Sequence, residues 1–246
     1  MYFISDAHLG VGNDSLKRER ELCNLLDQIK DDAHIVVFLG DMFDFWFSYK
    51  YVVPRGCIRL LGKMSELADH GVELHYFIGN HDMWIFDYLA SEMPIKMYEE
   101  PCIIRYDNKQ FLCGHGDGLG HLDKKYDFLR RVFRSRFNQK AFAMLPPRLT
   151  FSIAQRWSRS SRQSHSNQEN HYMGDSREGI VIYCKEQLKI QPVDYFLFGH
   201  RHTPLDVKIE AGNRVARYVN TGDWLNHRTY AHYTPSQGLQ LLNYQA

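Results

Sequence analysis

The run Ile35-Val36-Val37-Phe38-Leu39-Gly40-Asp41 decides the fold. Five consecutive apolar residues read as a strand buried on both faces, and such strands belong to parallel sheets covered by helices. This one ends in a glycine and a carboxylate, at the strand end where an α/β sheet builds its sites. The same grammar recurs on either side. Phe3-Ile4 leads into Asp6-Ala7-His8, and Leu74-His75-Tyr76-Phe77-Ile78 into Gly79-Asn80-His81-Asp82. Phe111-Leu112-Cys113 leads into Gly114-His115, and Tyr195-Phe196-Leu197-Phe198 into Gly199-His200-Arg201-His202. Carboxylate, amide and imidazole are the donors that suit Mn, Fe or Zn.

Between the strands, Leu16, Leu22, Leu25, Leu26 and Ile29 mark a helix over Asp14 to Lys30, with Asp14 or Ser15 as its cap. Ile58, Leu61, Met64, Leu67 and Ala68 mark a second helix ended by Gly71. The order βαβαβ predicts a mostly parallel sheet. Ile103–Tyr106 and Gln110–Cys113, joined at Asp107-Asn108, read as a hairpin. Helix Ser176–Lys189 leads to strand Asp194–Phe198, followed by strands at Val207–Ile209, Arg214–Val219, Tyr230–Tyr233 and Leu239–Leu242. Two sheets face to face with helices outside fit this series.

The exception lies between the fourth and fifth blocks. Between His121 and Arg162, eleven lysines and arginines stand against Asp123 and Asp127, a net charge of +9, while the whole chain carries only +1. Phe128, Phe133, Phe137, Phe142, Phe151 and Trp157 are interleaved with them. The segment reads as an inserted helical subdomain over 121–170, the core being 1–120 and 171–246. Its composition suits an anionic membrane surface or a phosphorylated amphiphile, or a helical hairpin with solvated arginines outside. No stretch approaches the roughly 18 apolar residues that span a bilayer, so any membrane association is peripheral. Tyr2, Phe3 and Ile4 lead straight into Asp6, which reads as a core strand and not a targeting segment. Cys23, Cys57, Cys102, Cys113 and Cys184 are scattered and odd in number, which favours a reducing cytoplasm; Cys113 reads as a thiol flanking the site.

Asp6 and His8, two residues apart in extended chain, point the same way and can grip one ion. Asp41 is the natural bridge. Asn80, His115 and His200 complete a second position, and His202 returns to the first. Counting Asp41 twice, each ion has four protein ligands, leaving room for water and phosphate. Two ions roughly 3.5 to 4 Å apart clamp the attacking and leaving oxygens at phosphorus, and water between them loses its proton at about pH 7. His81 is placed to stabilise phosphoryl oxygens or protonate the leaving oxygen. Asp82 reads as an orienting partner of His81 or of a ligand, or as a plain turn or cap residue. Asp44 and Asp117 are weaker orienting candidates. Asn220-Thr221-Gly222-Asp223-Trp224 reads as lining the site, or as a strand-ending turn. His34, His70, His75, His227 and His232 need no role, and His121, His165 and His171 are ambiguous.

These five blocks resemble the calcineurin-like metallophosphoesterase superfamily across nearly the whole chain apart from the insertion. The resemblance implies a four-layer αββα sandwich and a dinuclear centre filled by Mn, Fe or Zn. Within it, Gly40-Asp41-Met42-Phe43-Asp44-Phe45-Trp46 is similar to the GDxFDxW-like form of the UDP-2,3-diacylglucosamine diphosphatases of lipid A biosynthesis. Phosphoprotein phosphatases carry an arginine where this chain has Phe45. The resemblance implies a helical lid over acyl chains, water attack at the α-phosphorus giving UMP and a lipid X-like sugar 1-phosphate, and Mn as the usual ion. It also implies lid contacts at Asp123 and Ser161, while Phe128 and Arg131 are further substrate candidates in the lid, beside Asn80 and His81 in the core. Two positions depart: His81 stands where the family commonly has arginine, and Arg201 where it has threonine. His165 and Gln168 fall where the family has asparagine and lysine contacts.

The expected partners are a nucleotide-linked lipid and the cytoplasmic face of an inner membrane. A soluble phosphodiesterase or nuclease is the alternative enzyme, since bases stack on aromatics and phosphates pair with arginine. A non-catalytic scaffold should show broken ligand blocks, and none is broken here.

Overall fold

The computed structural model describes residues 1–120, 124–165 and 178–245. Strand β1 (Tyr2–Ile4) pairs in parallel with β2 (Ile35–Phe38), which pairs with β3 (Glu73–Phe77), which pairs with β4 (Ile95–Tyr98). On the other side of β1, β10 (Thr229–Thr234) and β11 (Gly238–Asn243) add antiparallel strands, so the six-stranded order is β11-β10-β1-β2-β3-β4. The second sheet has five strands in the order β5-β6-β7-β9-β8, from β5 (Cys102–Tyr106), β6 (Lys109–Cys113), β7 (Tyr195–Phe198), β8 (Leu205–Ala211) and β9 (Arg214–Asn220).

Alternation along the strands builds two cores from one run. Phe3, Ile35, Val37 and Phe77 face the second sheet, where they meet Phe111, Leu197 and Val219. Tyr2, Ile4, Val36 and Phe38 face outward onto α1 (Ser15–Ile29) and α2 (Ile58–Asp69), through Leu22, Leu25, Leu26, Leu60, Met64 and Leu67. β2 is therefore apolar at every position because both its faces are covered. On the far side, α7 (Gly179–Ile190) lays Ile180, Val181, Cys184 and Leu188 on Phe196, Phe198 and Tyr218. The result is four layers, helices–sheet–sheet–helix.

Some expectations are corrected in detail. The Asp14 carboxylate does not cap α1; it accepts a 2.7 Å hydrogen bond from Arg18 Nη1. Leu16 and Ile58 are solvent-exposed, and Leu60 takes the core position in α2. The short helix α3 (Tyr88–Glu92) and edge strand β4 carry too few apolar residues to stand out in the sequence. Cys113 is a core thiol between the sheets, where burial pushes its pKa well up, two residues before His115. Ser176, expected to open α7, lies outside the described residues, as do His121 and His171.

Three helices fill the described part of the basic segment: α4 (Lys124–Arg134), α5 (Arg136–Ala143) and α6 (Pro147–His165). An aromatic seam seats them on the sheets. Phe142 lies 4.6 Å from Trp84 and 5.2 Å from Phe47, and Phe151 meets Phe45 edge-on at 5.1 Å. Trp84 Nε1 donates to the Phe133 carbonyl at 2.9 Å, and the Tyr49 and Thr150 hydroxyls are hydrogen-bonded. Part of the positive charge is spent locally. Arg130 and Arg134 pair with Glu100, and Arg130 also reaches Asp117 at 3.5 Å. Among the described residues, no helix is long and apolar enough to cross a membrane.

Candidate metal centre

The ends of β1, β2, β3, β6 and β7 bring Asp6, His8, Asp41, Asn80, His115, His200 and His202 into one cluster. His8 Nε2 lies 3.2 Å from His202 Nε2, 3.7 Å from Asp6 Oδ1 and 3.8 Å from Asp41 Oδ2. His115 Nε2 lies 3.4 Å from Asp41 Oδ2 and 3.1 Å from Asn80 Oδ1, and that same oxygen is 3.0 Å from His200 Nδ1. Ligands about 2.1 Å from a shared ion sit about 3 to 3.5 Å from one another. Asp41 touches both groups, as a bridging carboxylate must.

Tight backbone turns make this convergence possible. Asp6, His8, Asp41, His200 and His202 all have positive φ, between 43° and 68°. Non-glycine residues seldom adopt that region, and they do so where the surrounding fold over-determines them. The glycines of the blocks have a steric reason: a Cβ at Gly79 would run into the Asp41 carboxylate, and one at Gly199 into that of Asp6. No side chain fits between neighbouring ligand turns.

The electrostatics fit cations. Asp6 Oδ1 is buried without a hydrogen-bond partner, a costly state for a carboxylate oxygen unless a positive charge stands beside it. Burial works against ionising Asp41, yet the imidazoles of His115 and His81 more than offset it and hold the carboxyl well below its usual range. Burial likewise opposes protonation of His8, but Asp44 and Asp6 raise it to about 10. His115 is raised too, its burial outweighed by Asp41. Without cations, protonated histidines supply the positive charge that the carboxylates demand. The donor set therefore suits divalent ions.

Outer partners fix the rings. His115 Nδ1 donates to the Leu39 carbonyl at 2.8 Å, turning Nε2 inward. His202 Nδ1 lies 3.2 Å from Asp223 Oδ2, leaving its Nε2 for Asp6 and His8. Such carboxylate–imidazole pairs set the tautomer and orientation of ligating histidines. Asp223 is fully buried and also accepts from the Asn226 and His227 backbones at 2.9 and 3.0 Å; burial opposes its ionisation, but with the His202 contact these bonds bring it to about 2. Sequence alone leaves its turn between lining the site and merely ending a strand, and names no partner for it. Its link to His202 is a contact across the fold.

His81 stands at the rim. Its Nδ1 lies 3.0 Å from the Asp44 carbonyl, which only accepts, so Nδ1 carries the proton and Nε2 is the nitrogen left for a ligand. Burial lowers its pKa. Asp82 does not orient His81. It is fully buried and accepts from Met42 N at 3.0 Å, Gly79 N at 2.8 Å and the Tyr76 hydroxyl, tying together the turns after β2 and β3. Burial and the charge of Asp41 push it up to about 7. Asp44 reaches His8 Nδ1 at 3.7 Å and accepts from Ser158 of α6 at 2.8 Å, whereas Asp117 lies 3.5 Å from Arg130 and adds its charge to those that raise His115.

Beside the cluster lies a cavity of about 330 Å³. Asp44, Asn80, His81 and Ser158 supply polar groups at its wall; Phe45, Met83, Trp84, Phe133, Phe142, Leu145 and Ile153 make the rest apolar. Phe128 (66% exposed) and Arg131 lie on the outer surface and are not among its lining residues. Asp123 is outside the described residues. Ser161 lies on α6, but its side chain is not described. A helical lid is expected by resemblance, but not that Phe133, Phe142, Leu145 and Ile153 line the cavity, because apolar residues in a basic segment do not say which way they face.

A calcineurin-like phosphoesterase family model matches residues 1–204. A UDP-2,3-diacylglucosamine hydrolase from Porphyromonas gingivalis is 37% identical over 245 residues, covering 94% of this chain and 92% of that protein. Proteins of the same name from Nitrosococcus oceani and Hahella chejuensis are 26% and 25% identical. The first match covers 95% of this chain and 91% of that protein, the second 99% and 97%.

Proposed function

Because the chain belongs to the calcineurin-like phosphoesterase family, we propose that it hydrolyses the pyrophosphate of UDP-2,3-diacylglucosamine, releasing UMP and an acylated sugar 1-phosphate. Asp6, His8, Asp41 and His202 hold one divalent ion; Asp41, Asn80, His115 and His200 hold the other. Manganese is the first candidate, iron and zinc the next. Bound there, the ions supply the Lewis acidity that activates water and neutralises phosphoryl charge.

One observation carries the substrate assignment: the apolar cavity opens on Asn80 and His81 at the edge of the ligand cluster. Its volume falls in the range of ligand pockets, about 300 to 1,000 Å³. Phe45, Trp84 and Phe142 also help seat the helices, and with Ile153 they leave an apolar wall next to Asn80 and His81 that suits acyl chains. Segment 121–170 then acts as the lid over those chains, with Asp123 and Ser161 as substrate contacts by resemblance to the diphosphatases. His81, its Nδ1 committed to Asp44, presents Nε2 to the diphosphate.

Phe137 and Met144 are 79% and 85% exposed beside Arg136, Lys140 and Arg148. That mixture of apolar and basic residues fits peripheral seating on the anionic cytoplasmic leaflet of an inner membrane. The test is a Mn-supplemented assay comparing UDP-2,3-diacylglucosamine, UDP-N-acetylglucosamine and an aryl phosphodiester. The acylated nucleotide sugar is expected to be turned over fastest; preference for the unacylated one would remove the lipid assignment.

A further inference from the structure

Arg18, in the first turn of α1, is 1% exposed, and burying a guanidinium is costly unless its charge and hydrogen bonds are met. Among the described residues, its ion-pair partner is Asp14, exposed at the helix start, and not a buried carboxylate. The rest of the fork is spent on main-chain carbonyls. Nε donates to Ala7 O at 3.0 Å, and Nη2 donates to His8 O at 3.0 Å and to Val11 O at 2.7 Å.

Those carbonyls belong to the first ligand turn. Asp6 and His8 have φ of 52° and 43°, which turns the carbonyls of Ala7 and His8 away from the sheet ladder. The N–H side of the same turn is pinned elsewhere, since Asp6 N donates to Gly40 O, His8 N to Asp41 O and Leu9 N to Met42 O at 2.9 to 3.0 Å. Strand β2 and its extension therefore hold one edge of the turn, and Arg18 holds the other. Clamped on both edges, the turn keeps the His8 imidazole aimed at Asp6 and His202. Among the described residues, the side-chain hydrogen bonds of Arg18 go to Ala7, His8, Val11 and Asp14, around the turn that carries Asp6 and His8.

We propose that Arg18 is a positioning residue for the ion held by Asp6, His8, Asp41 and His202, and that it leaves the affinity of the other ion untouched. The inference rests on the two-ion reading above. Outer supports of metal ligands are typically worth about 10- to 100-fold in metal affinity. Lysine in place of arginine keeps the charge but cannot span three carbonyls.

The experiment is Mn(II) titration of the metal-free full chain, read by calorimetry and by the electron paramagnetic resonance of free Mn(II). In an Asn80→Ala background, which leaves the Asp6–His8–His202 position intact, adding Arg18→Lys is expected to weaken binding at least tenfold. In a His202→Ala background, adding Arg18→Lys should change it less than twofold. Asp14→Ala, an exposed substitution that removes the Nη1 anchor together with a 3.4 Å surface pairing to Arg228, is expected to weaken the same position alone by about twofold to threefold, and it decides the matter should Arg18→Lys fail to fold. Equal weakening in both backgrounds, or none in either, overturns the proposal. Wild-type protein binding fewer than two ions would bring down the two-ion reading, and this inference with it.

Discussion

The ligand cluster and the helical segment 124–165 sit against each other and are held by different means. In the cluster, every polar side chain is placed by a turn at a strand end, and main-chain bonds such as His8 N to Asp41 O fix the turns against one another. In the helical segment, ring contacts such as Phe142 on Trp84 and a few polar pins do the seating, while Phe137 and Met144 stay exposed. On the proposed function, the backbone-locked cluster carries the reaction and the ring-seated helical segment carries the choice of substrate.

The strongest way to break that contrast is to strike the shared ligand. Asp41→Ala should lower hydrolysis by at least on the order of a thousandfold and abolish binding of both ions, measured by turnover and bound-metal analysis. Full turnover by this variant would end the two-ion mechanism.

A second test concerns what the cluster does without ions. His8 titrates near 10 in the fold against an ordinary 6.5. A pKa raised on folding contributes stability that is complete below the unfolded value and lost as pH climbs through the folded one. Urea unfolding of metal-free protein should therefore show a lower midpoint at pH 9.5 than at pH 6. Mn-loaded protein should not follow that trend, since ligation needs neutral imidazole. Equal metal-free midpoints would show that the histidines do not supply the cluster's positive charge.

The smallest effects should come from the helical segment, and they should be selective. Phe142→Ala is expected to raise KM for the acylated nucleotide sugar on the order of tenfold, with little change towards an aryl phosphodiester. Phe128→Ala and Arg131→Ala, both on the outer surface, should move KM in a detergent-solubilised assay by less than about twofold. Were Phe128→Ala to match Phe142→Ala, the cavity would not be the acyl site.

The same contrast governs what could be read from the residues alone. The seven proposed ligands were legible because each lies within four residues of the end of an apolar run, so a local pattern announces each one. Two sheets with outer helices followed from the same runs. Asp223, Ser158 and Arg18 were not legible in their roles. Asp223 acts on a histidine on the other side of β8 and β9, Ser158 on an aspartate 114 residues away, and Arg18 on main-chain carbonyls that no side-chain pattern reveals. Asp14 illustrates the ambiguity: a carboxylate at a helix start can cap the helix or pair with the arginine one turn on, and here it pairs. Asp82 was open between orienting and turn-holding roles, and three donors from two turns decide for the second.

The position of β1 also bears on how the protein is made. This strand lies between β2 and β10, and the Met1 amine donates to the Tyr233 carbonyl across 232 positions of chain. A polypeptide leaving the ribosome presents Tyr2–Ile4 with one neighbour available and the other still unsynthesised. Domains generally gain stable structure once their long-range partners have emerged. On the two-ion reading, the first ion position is incomplete until His202, 194 positions after His8, has been made, so the ion is expected to enter after that strand end folds and not while the first block emerges.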